Sequence, residues 1–172
     1  MKTILATIGL IGGLTLSAAA DQTVTLSDTH ICCHSCVNAI NKIGASVDGL
    51  KATPSQEDGT ITLSAADKAT LQKGVDALTS AGFYGKSSDP DVKVNGDTGA
   101  KNQTVQTITV ENLHLCCPKC VKAVNEILAT VPGVTTNTAT KGAKEFTVTG
   151  NFNDKAVFDA FQAHGLTGQE KQ

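Results

Sequence analysis

One short pattern occurs twice in this chain and constrains the fold more than any other feature. It reads His30-Ile31-Cys32-Cys33-His34-Ser35-Cys36, then Val37, and again His114-Leu115-Cys116-Cys117-Pro118-Lys119-Cys120, then Val121. Together the copies hold all 6 cysteines. The step of 84 positions from Cys33 to Cys117 also carries Val24 and Leu26 onto Ile108 and Val110. It carries Ile40, Ile43 and Val47 onto Val124, Ile127 and Val131, and Gly49-Leu50 onto Gly133-Val134. Agreement over this length is an internal repeat.

The hydrophobic periods supply the elements. Gln22 to Ser27 and Thr107 to Val110 alternate, as strands with one buried face do. From Cys36 to Val47, and from Cys120 to Val131, apolar positions recur at helical spacing. Asp48-Gly49 and Pro132-Gly133 stop these helices. Second strands are expected from Leu50 and Val134, and third strands over Thr60–Leu63 and Glu145–Val148. A second helix starts near Asp67, matched to Asp154, with Asn153 as another helix starter. Its ends align Ala77-Leu78 with Ala160-Phe161 and Ala81-Gly82-Phe83 with His164-Gly165-Leu166, which makes the first copy about one turn longer. A short edge strand after each glycine completes β-α-β-β-α-β. The expected fold class is α+β: two tandem ferredoxin-like sandwiches, each an antiparallel sheet with two helices on one face. Each copy, at about 65 residues, is near the lower limit for a self-sufficient core.

The N-terminus reads differently. Met1-Lys2-Thr3, an apolar run from Ile4 to Leu16 and Ser17-Ala18-Ala19-Ala20 describe a signal peptide cut after Ala20. The run is short for a bilayer span of about 20 residues, so no stable membrane anchor is expected. The division is then a signal peptide over 1–20, a first domain over 21–88, a linker over 89–103 and a second domain over 104–172. The linker is polar and rich in Gly, Asp and Pro, and is read as mostly flexible, with Val92 and Val94 in extended contact. The location is periplasmic or secreted. The formal charge of −2 becomes about −3 without Lys2, and Arg is absent, which excludes the clustered basic face of a nucleic-acid binder.

Export permits disulfides, but two tight clusters do not staple distant loops. Clustered cysteines at C-x-x-C spacing point to metal binding or redox chemistry. Each motif lies between a strand and a helix, with Cys33 in the loop and Cys36 in the first turn. The free backbone N–H groups of a helix start favour thiolate. Thiolates select soft ions over Mg(II) or Ca(II). Lys119 and Lys122 beside the second motif predict that it ionises at lower pH than the first. Pro118 suits the first helical turn.

A C-x-x-C between the first strand and first helix of such a unit resembles the heavy-metal-associated domain, which includes small copper chaperones and a periplasmic mercury-binding protein. Val131-Pro132-Gly133-Val134 and Ala77-Leu78 with Ala81-Gly82-Phe83 also fit that pattern. The resemblance implies metal ligands at Cys33, Cys36, Cys117 and Cys120. His30-Ile31-Cys32 and His114-Leu115-Cys116 depart from the family's Gly-Met-x. Cys32 and Cys116 could each turn a two-coordinate site into a three-coordinate one, or bind a second metal or a partner's metal. His30 and His114 are candidates for a further nitrogen ligand. Phe83 or Tyr84 could shield the first site.

The implied function is capture, buffering or delivery of a soft metal, with Cu(I) leading and Hg(II), Zn(II) and Cd(II) open. A metal transporter, an efflux component or a second copy of the protein joined through metal is the implied partner, and the two sites on their linker could also close over one metal or a small thiolate cluster. The competing reading is a thiol–disulfide redox protein using the same C-x-x-C pairs. No motif orders a catalytic Ser/His/Asp set, Gly82-Phe83-Tyr84-Gly85 reads as a turn rather than a cofactor loop, and His164 as a surface residue at a helix end. No enzymatic activity is expected.

Overall fold

The computed structural model describes residues 21–172; the expected signal peptide lies outside them. The first unit runs β1 (Gln22–Ser27), α1 (His34–Ala45), β2 (Lys51–Ser55), β3 (Thr60–Ala65), α2 (Lys68–Ser80) and β4 (Lys86–Ser87). The second runs β5 (Thr104–Glu111), α3 (Pro118–Ala129), β6 (Val134–Asn137), β7 (Glu145–Asn153), α4 (Asp154–Ala163) and β8 (Gln169–Glu170). The sheets have strand orders β2-β3-β1-β4 and β6-β7-β5-β8, with every pairing antiparallel. These are the two α+β ferredoxin-like sandwiches that the repeat predicts. No helix among the described residues is long and apolar enough to cross a membrane.

Alternation in β1 buries Val24 and Leu26, opposite Leu63 and Ile61 of β3. The helical stripe of α1 buries Cys36, Ile40 and Gly44 against that face. Its counterpart in α3 buries Cys120, Val124, Ile127 and Leu128. Each apolar side chain fully removed from water contributes about 1.5–3 kcal/mol, so these stripes fix the helices on their sheets. Cys36 and Cys120 are the first residues of the stripes, and packing holds both sulfurs at the end of a core.

The elements differ in detail from the sequence expectation. β5 and β7 are longer than expected, and register shifts at Val105/Thr107 and Val134/Thr136 mark irregularities in the second sheet. The second helices start one position out of the predicted match. Asp67 caps α2 by accepting from the Thr70 N–H at 2.8 Å, whereas Asn153, not Asp154, caps α4 by accepting from Ala156 at 3.1 Å. Asp154 is 2% exposed and faces the connecting segment. Its carboxylate accepts from the N–H groups of Lys101 (2.9 Å) and Gln103 (2.8 Å).

The connecting segment is held at several points. Val92 is buried, Gln72 accepts from the Lys93 N–H and donates to its carbonyl, and Gln162 donates to the Gly96 carbonyl. The Glu170 N–H donates to the Thr98 carbonyl.

The units also touch directly. Phe83 and Leu166 pair as an antiparallel bridge, with Tyr84 N–H donating to Gly165 O and Thr167 N–H to Gly82 O, both at 3.1 Å. The His30 N–H donates to Gly165 O as well. Gly82 and Gly165 have φ of +89° and +75°. A Cβ on Gly82 would lie 2.5 Å from His114 N, and one on Gly165 would lie 2.2 Å from Asp28 O and 2.4 Å from His30 N. Glycine is required at both positions by conformation and by space. Each glycine therefore seats the backbone of the other unit's histidine loop.

Candidate metal centre

The reciprocal contact brings both motifs to one place. Cys33 and Cys117 are the N-cap residues of α1 and α3, both with extended backbone. The N–H of Cys36 donates to Cys33 O at 3.0 Å and that of Cys120 to Cys117 O at 3.1 Å. This closes each C-x-x-C turn, so Cys33 Sγ and Cys36 Sγ lie 3.9 Å apart and Cys117 Sγ and Cys120 Sγ 3.7 Å apart. Pro118 takes the first helical turn of α3, where no intrahelical N–H is lost.

The six sulfurs form one cluster rather than two separate sites. Across the interface Cys32 lies 3.4 Å from Cys120 and 3.7 Å from Cys117. Cys33 lies 3.4 Å from Cys117 and 3.8 Å from Cys116. Cys36 lies 3.6 Å from Cys116. Within units, Cys32 to Cys36 is 3.8 Å and Cys116 to Cys120 is 3.6 Å. All six are free thiols. Cys36 and Cys120 are buried, and the other four are half-buried, so an incoming ion meets those four first.

Both sequence-nominated histidines reach this region. A ring nitrogen of His30 lies within 4.8 Å of the sulfurs of Cys32 and Cys120, as do those two sulfurs of each other. His114 lies beside Cys36 and favours the ionised form of that thiol. The Nε2 atoms of His30 and His114 are buried without a hydrogen-bond partner in the protein. Such atoms are costly to leave unpaired and are free to serve a ligand. Phe83, at 1% exposure, packs against His114 with ring centroids 4.5 Å apart. It thus covers the second motif, where the sequence reading placed it over the first. His164 is exposed at the end of α4, its Nδ1 2.8 Å from the Ala160 carbonyl.

The electrostatics depart from the lysine argument. Hydrogen bonding from Cys120 is the largest influence on Cys36 and drives its ionisation far down, against burial, which opposes it. The same contact, with burial, drives Cys120 far up. Burial pushes Cys32 up to about 12 and raises Cys116 too. At Cys117 burial is outweighed by the Cys120 N–H and the Cys33 and Cys32 thiols, and the group falls to about 6. Burial and neighbouring thiols, not Lys119 or Lys122, are the main influences on these groups. His30 is lowered, chiefly by burial and then by His114 and His164 against the opposing pull of Cys36, so it is neutral near neutral pH.

Sequence reasoning named every cluster residue but missed what assembles them. Gly82-Phe83 and Gly165-Leu166 were visible as matching pairs after each second helix. Their reading as turns into the last strand left out their contact with the opposite unit.

No protein-family profile matches this chain, and no curated protein matches it. Among solved structures, the N-terminal domain of PacS from Synechocystis PCC6803 is similar at 22% identity, spanning 40% of this chain and 100% of that one, with a TM-score of 0.36. The N-terminal soluble domains of Bacillus subtilis CopA are similar at 14% identity, spanning 90% of this chain and 97% of that one, with a TM-score of 0.34.

Proposed function

We propose that this chain is an exported soft-metal-binding protein, formed from two heavy-metal-associated-like domains over 21–88 and 104–172. Its cargo is a thiophilic ion, with Cu(I) first and Hg(II), Zn(II) and Cd(II) as further candidates. The ligands are Cys32, Cys33, Cys36, Cys116, Cys117 and Cys120, with His30 and His114 beside them. The observation that carries this reading is the convergence of six free thiols, three from each unit, at separations of 3.4–3.9 Å. An ion with metal–sulfur bonds of about 2.3 Å spaces its tetrahedral thiolates about 3.8 Å apart, so the cluster already has the spacing of a coordination shell.

The role is capture, buffering or delivery by thiolate exchange with a transporter or efflux component. The half-buried sulfurs of Cys32, Cys33, Cys116 and Cys117 are where an incoming thiolate would attack. The test is to purify the chain from residue 21, reduced and anaerobic, and titrate Cu(I) against a chromogenic chelator. Tight Cu(I) binding that is abolished by replacing all six cysteines with serine is expected. Absence of tight soft-metal binding, together with a reversible disulfide at a defined potential, would sink this reading and favour the redox one.

A further inference from the structure

The sulfur contacts do not group by motif. They close two triangles. One joins Cys33, Cys36 and Cys116, with edges of 3.9, 3.8 and 3.6 Å. The other joins Cys117, Cys120 and Cys32, with edges of 3.7, 3.4 and 3.7 Å. Three links of similar length, Cys32 to Cys36 (3.8 Å), Cys33 to Cys117 (3.4 Å) and Cys116 to Cys120 (3.6 Å), tie one triangle to the other. Each triangle is one unit's C-x-x-C pair plus the leading cysteine of the other unit.

From this geometry we infer that the leading cysteine acts in trans: Cys116 completes a three-thiolate site on Cys33 and Cys36, and Cys32 completes one on Cys117 and Cys120, so the closed chain holds two soft ions in adjoining trigonal sites. The inference rests on the metal-binding reading above and specifies its ligand sets.

Local structure supplies the cause. Cys33 and Cys117 have extended backbone, with φ of −164° and −150°. Successive side chains of an extended segment point to opposite sides. The leading cysteine of each motif reaches the other unit's helix start as well as its own: Cys32 lies 3.4 Å from Cys120 and 3.8 Å from Cys36, and Cys116 lies 3.6 Å from both Cys36 and Cys120. Gly82 and Gly165 hold the two loops close enough for it to arrive. Six sulfurs also exceed what one ion takes, since a tetrahedral thiophilic ion uses four ligands. A trigonal shell with bonds of about 2.3 Å needs edges of about 4.0 Å, a few tenths of an ångström wider than those present. The histidines follow the same division. His30 groups with Cys32 and Cys120 of one triangle, and His114 contacts Cys36 of the other. Each triangle thus has one imidazole beside it, available to hydrogen-bond a thiolate or add a fourth ligand. The rival grouping, by motif, also has a foothold: Cys116, Cys117 and Cys120 lie within 4.8 Å of one another.

Two triple variants separate the groupings. Cys32→Ser/Cys117→Ser/Cys120→Ser keeps Cys33, Cys36 and Cys116; Cys32→Ser/Cys33→Ser/Cys36→Ser keeps the whole second motif. Cu(I) titration should give two ions for the wild-type chain. The first variant should hold one ion at near wild-type affinity, and the second should bind about tenfold or more weakly, a loss of about 1.4 kcal/mol. Equal binding by the two, or retention by the second alone, overturns the inference and leaves the metal-binding reading intact. Failure of the wild-type chain to bind Cu(I) sinks that reading instead. A metal-free measurement guards against a misfolded triple variant. In a chain keeping only Cys32 and Cys120, mild oxidation should yield a Cys32–Cys120 disulfide by peptide mapping, and its absence under conditions that oxidise a free thiol pair overturns the trans arrangement.

Discussion

The two units reach one backbone with different cores. Of the 5 phenylalanines, the second unit holds Phe146, Phe152, Phe158 and Phe161, all buried. Phe161 meets Phe146 and Phe158 edge to face, with centroids 6.4 and 6.3 Å apart. The first unit fills the same space with Val24, Leu26, Ile40, Ile61, Leu63, Leu71, Val75 and Leu78. Its one phenylalanine, Phe83, faces the other unit's His114. α2 has 13 residues and α4 has 10, so bulkier side chains accompany the shorter helix. Cores of different composition thus support similar folds, as volume and pattern decide more than identity. What stays most alike is the region of the two motifs: the cysteines, the histidines and the glycines that seat them.

The largest expected effect contrasts the cores. Phe161→Ala should cost the second unit about 4 kcal/mol, while Leu78→Ala, at the matched position, costs the first about 3 kcal/mol. Denaturant unfolding of the reduced, metal-free chain, followed by amide exchange in each unit, would measure both. If Leu78→Ala were the more damaging, the aromatic core would not be the tighter of the two.

Next come the seating glycines. Gly165→Ala places a Cβ against backbone atoms that cannot move aside, and should cost on the order of 2–3 kcal/mol in strain and displacement. It should also halve Cu(I) stoichiometry or worse. Gly49→Ala, with positive φ but open space around it, should cost only about 1 kcal/mol and leave metal binding unchanged. Equal metal binding by the two variants would show that the units need not close.

Asp154 has no counterpart in the first unit, where Asp67 is an exposed cap. Asp154→Ala strands the N–H groups of Lys101 and Gln103 and should cost about 2 kcal/mol. Burial opposes ionisation of Asp154, but backbone N–H groups from Lys101, Gln103, Lys155 and Asn102 outweigh it and hold the carboxyl below its ordinary 3.8. Its contribution is present above that value and is lost as pH falls through the lower folded value. The stability of wild type should fall on that acid limb, and Asp154→Asn should remove this part of the slope. An unchanged limb would mean that the carboxylate's charge is immaterial.

The smallest effect concerns caps. Asn153→Ala should cost the second unit about 1 kcal/mol, and Asp67→Ala should act on the first unit alone. Unit-resolved amide exchange would show any spread of either loss into the other unit.

Much of this was legible in the residues. Alternation in Gln22–Ser27 and the stripe Cys36–Ile40 name a strand and a helix without reference to anything distant. The C-x-x-C turns follow from their place at a helix start. That the two sites could close together was legible, but the contact that joins the units was not, because it depends on two glycines meeting foreign backbone, and nothing in Ala-Gly-Phe-Tyr distinguishes a turn toward solvent from one toward a partner. The connecting segment misled for a related reason. Its Gly, Asp and Pro residues suggest freedom, yet Val92 is buried and Asp154, on another element, holds its end. The lysines near the second motif misled too, because thiols at 3.4–3.9 Å influence one another more strongly than exposed ammonium groups do.

The reciprocal seating of Gly82 and Gly165 amounts to an isologous contact folded into one polypeptide, each half offering the patch that the other offers in return. Between separate chains such a contact is second order, and dilution dissolves it. Here the tether replaces bulk concentration with a fixed local one, in the millimolar range for short flexible connections and higher when the connection is held in place. Assembly of the cluster therefore does not depend on how much of the protein is present. A contact of this kind need not be strong enough to hold two free proteins together, and under the proposed function the site would be assembled even where the protein is scarce.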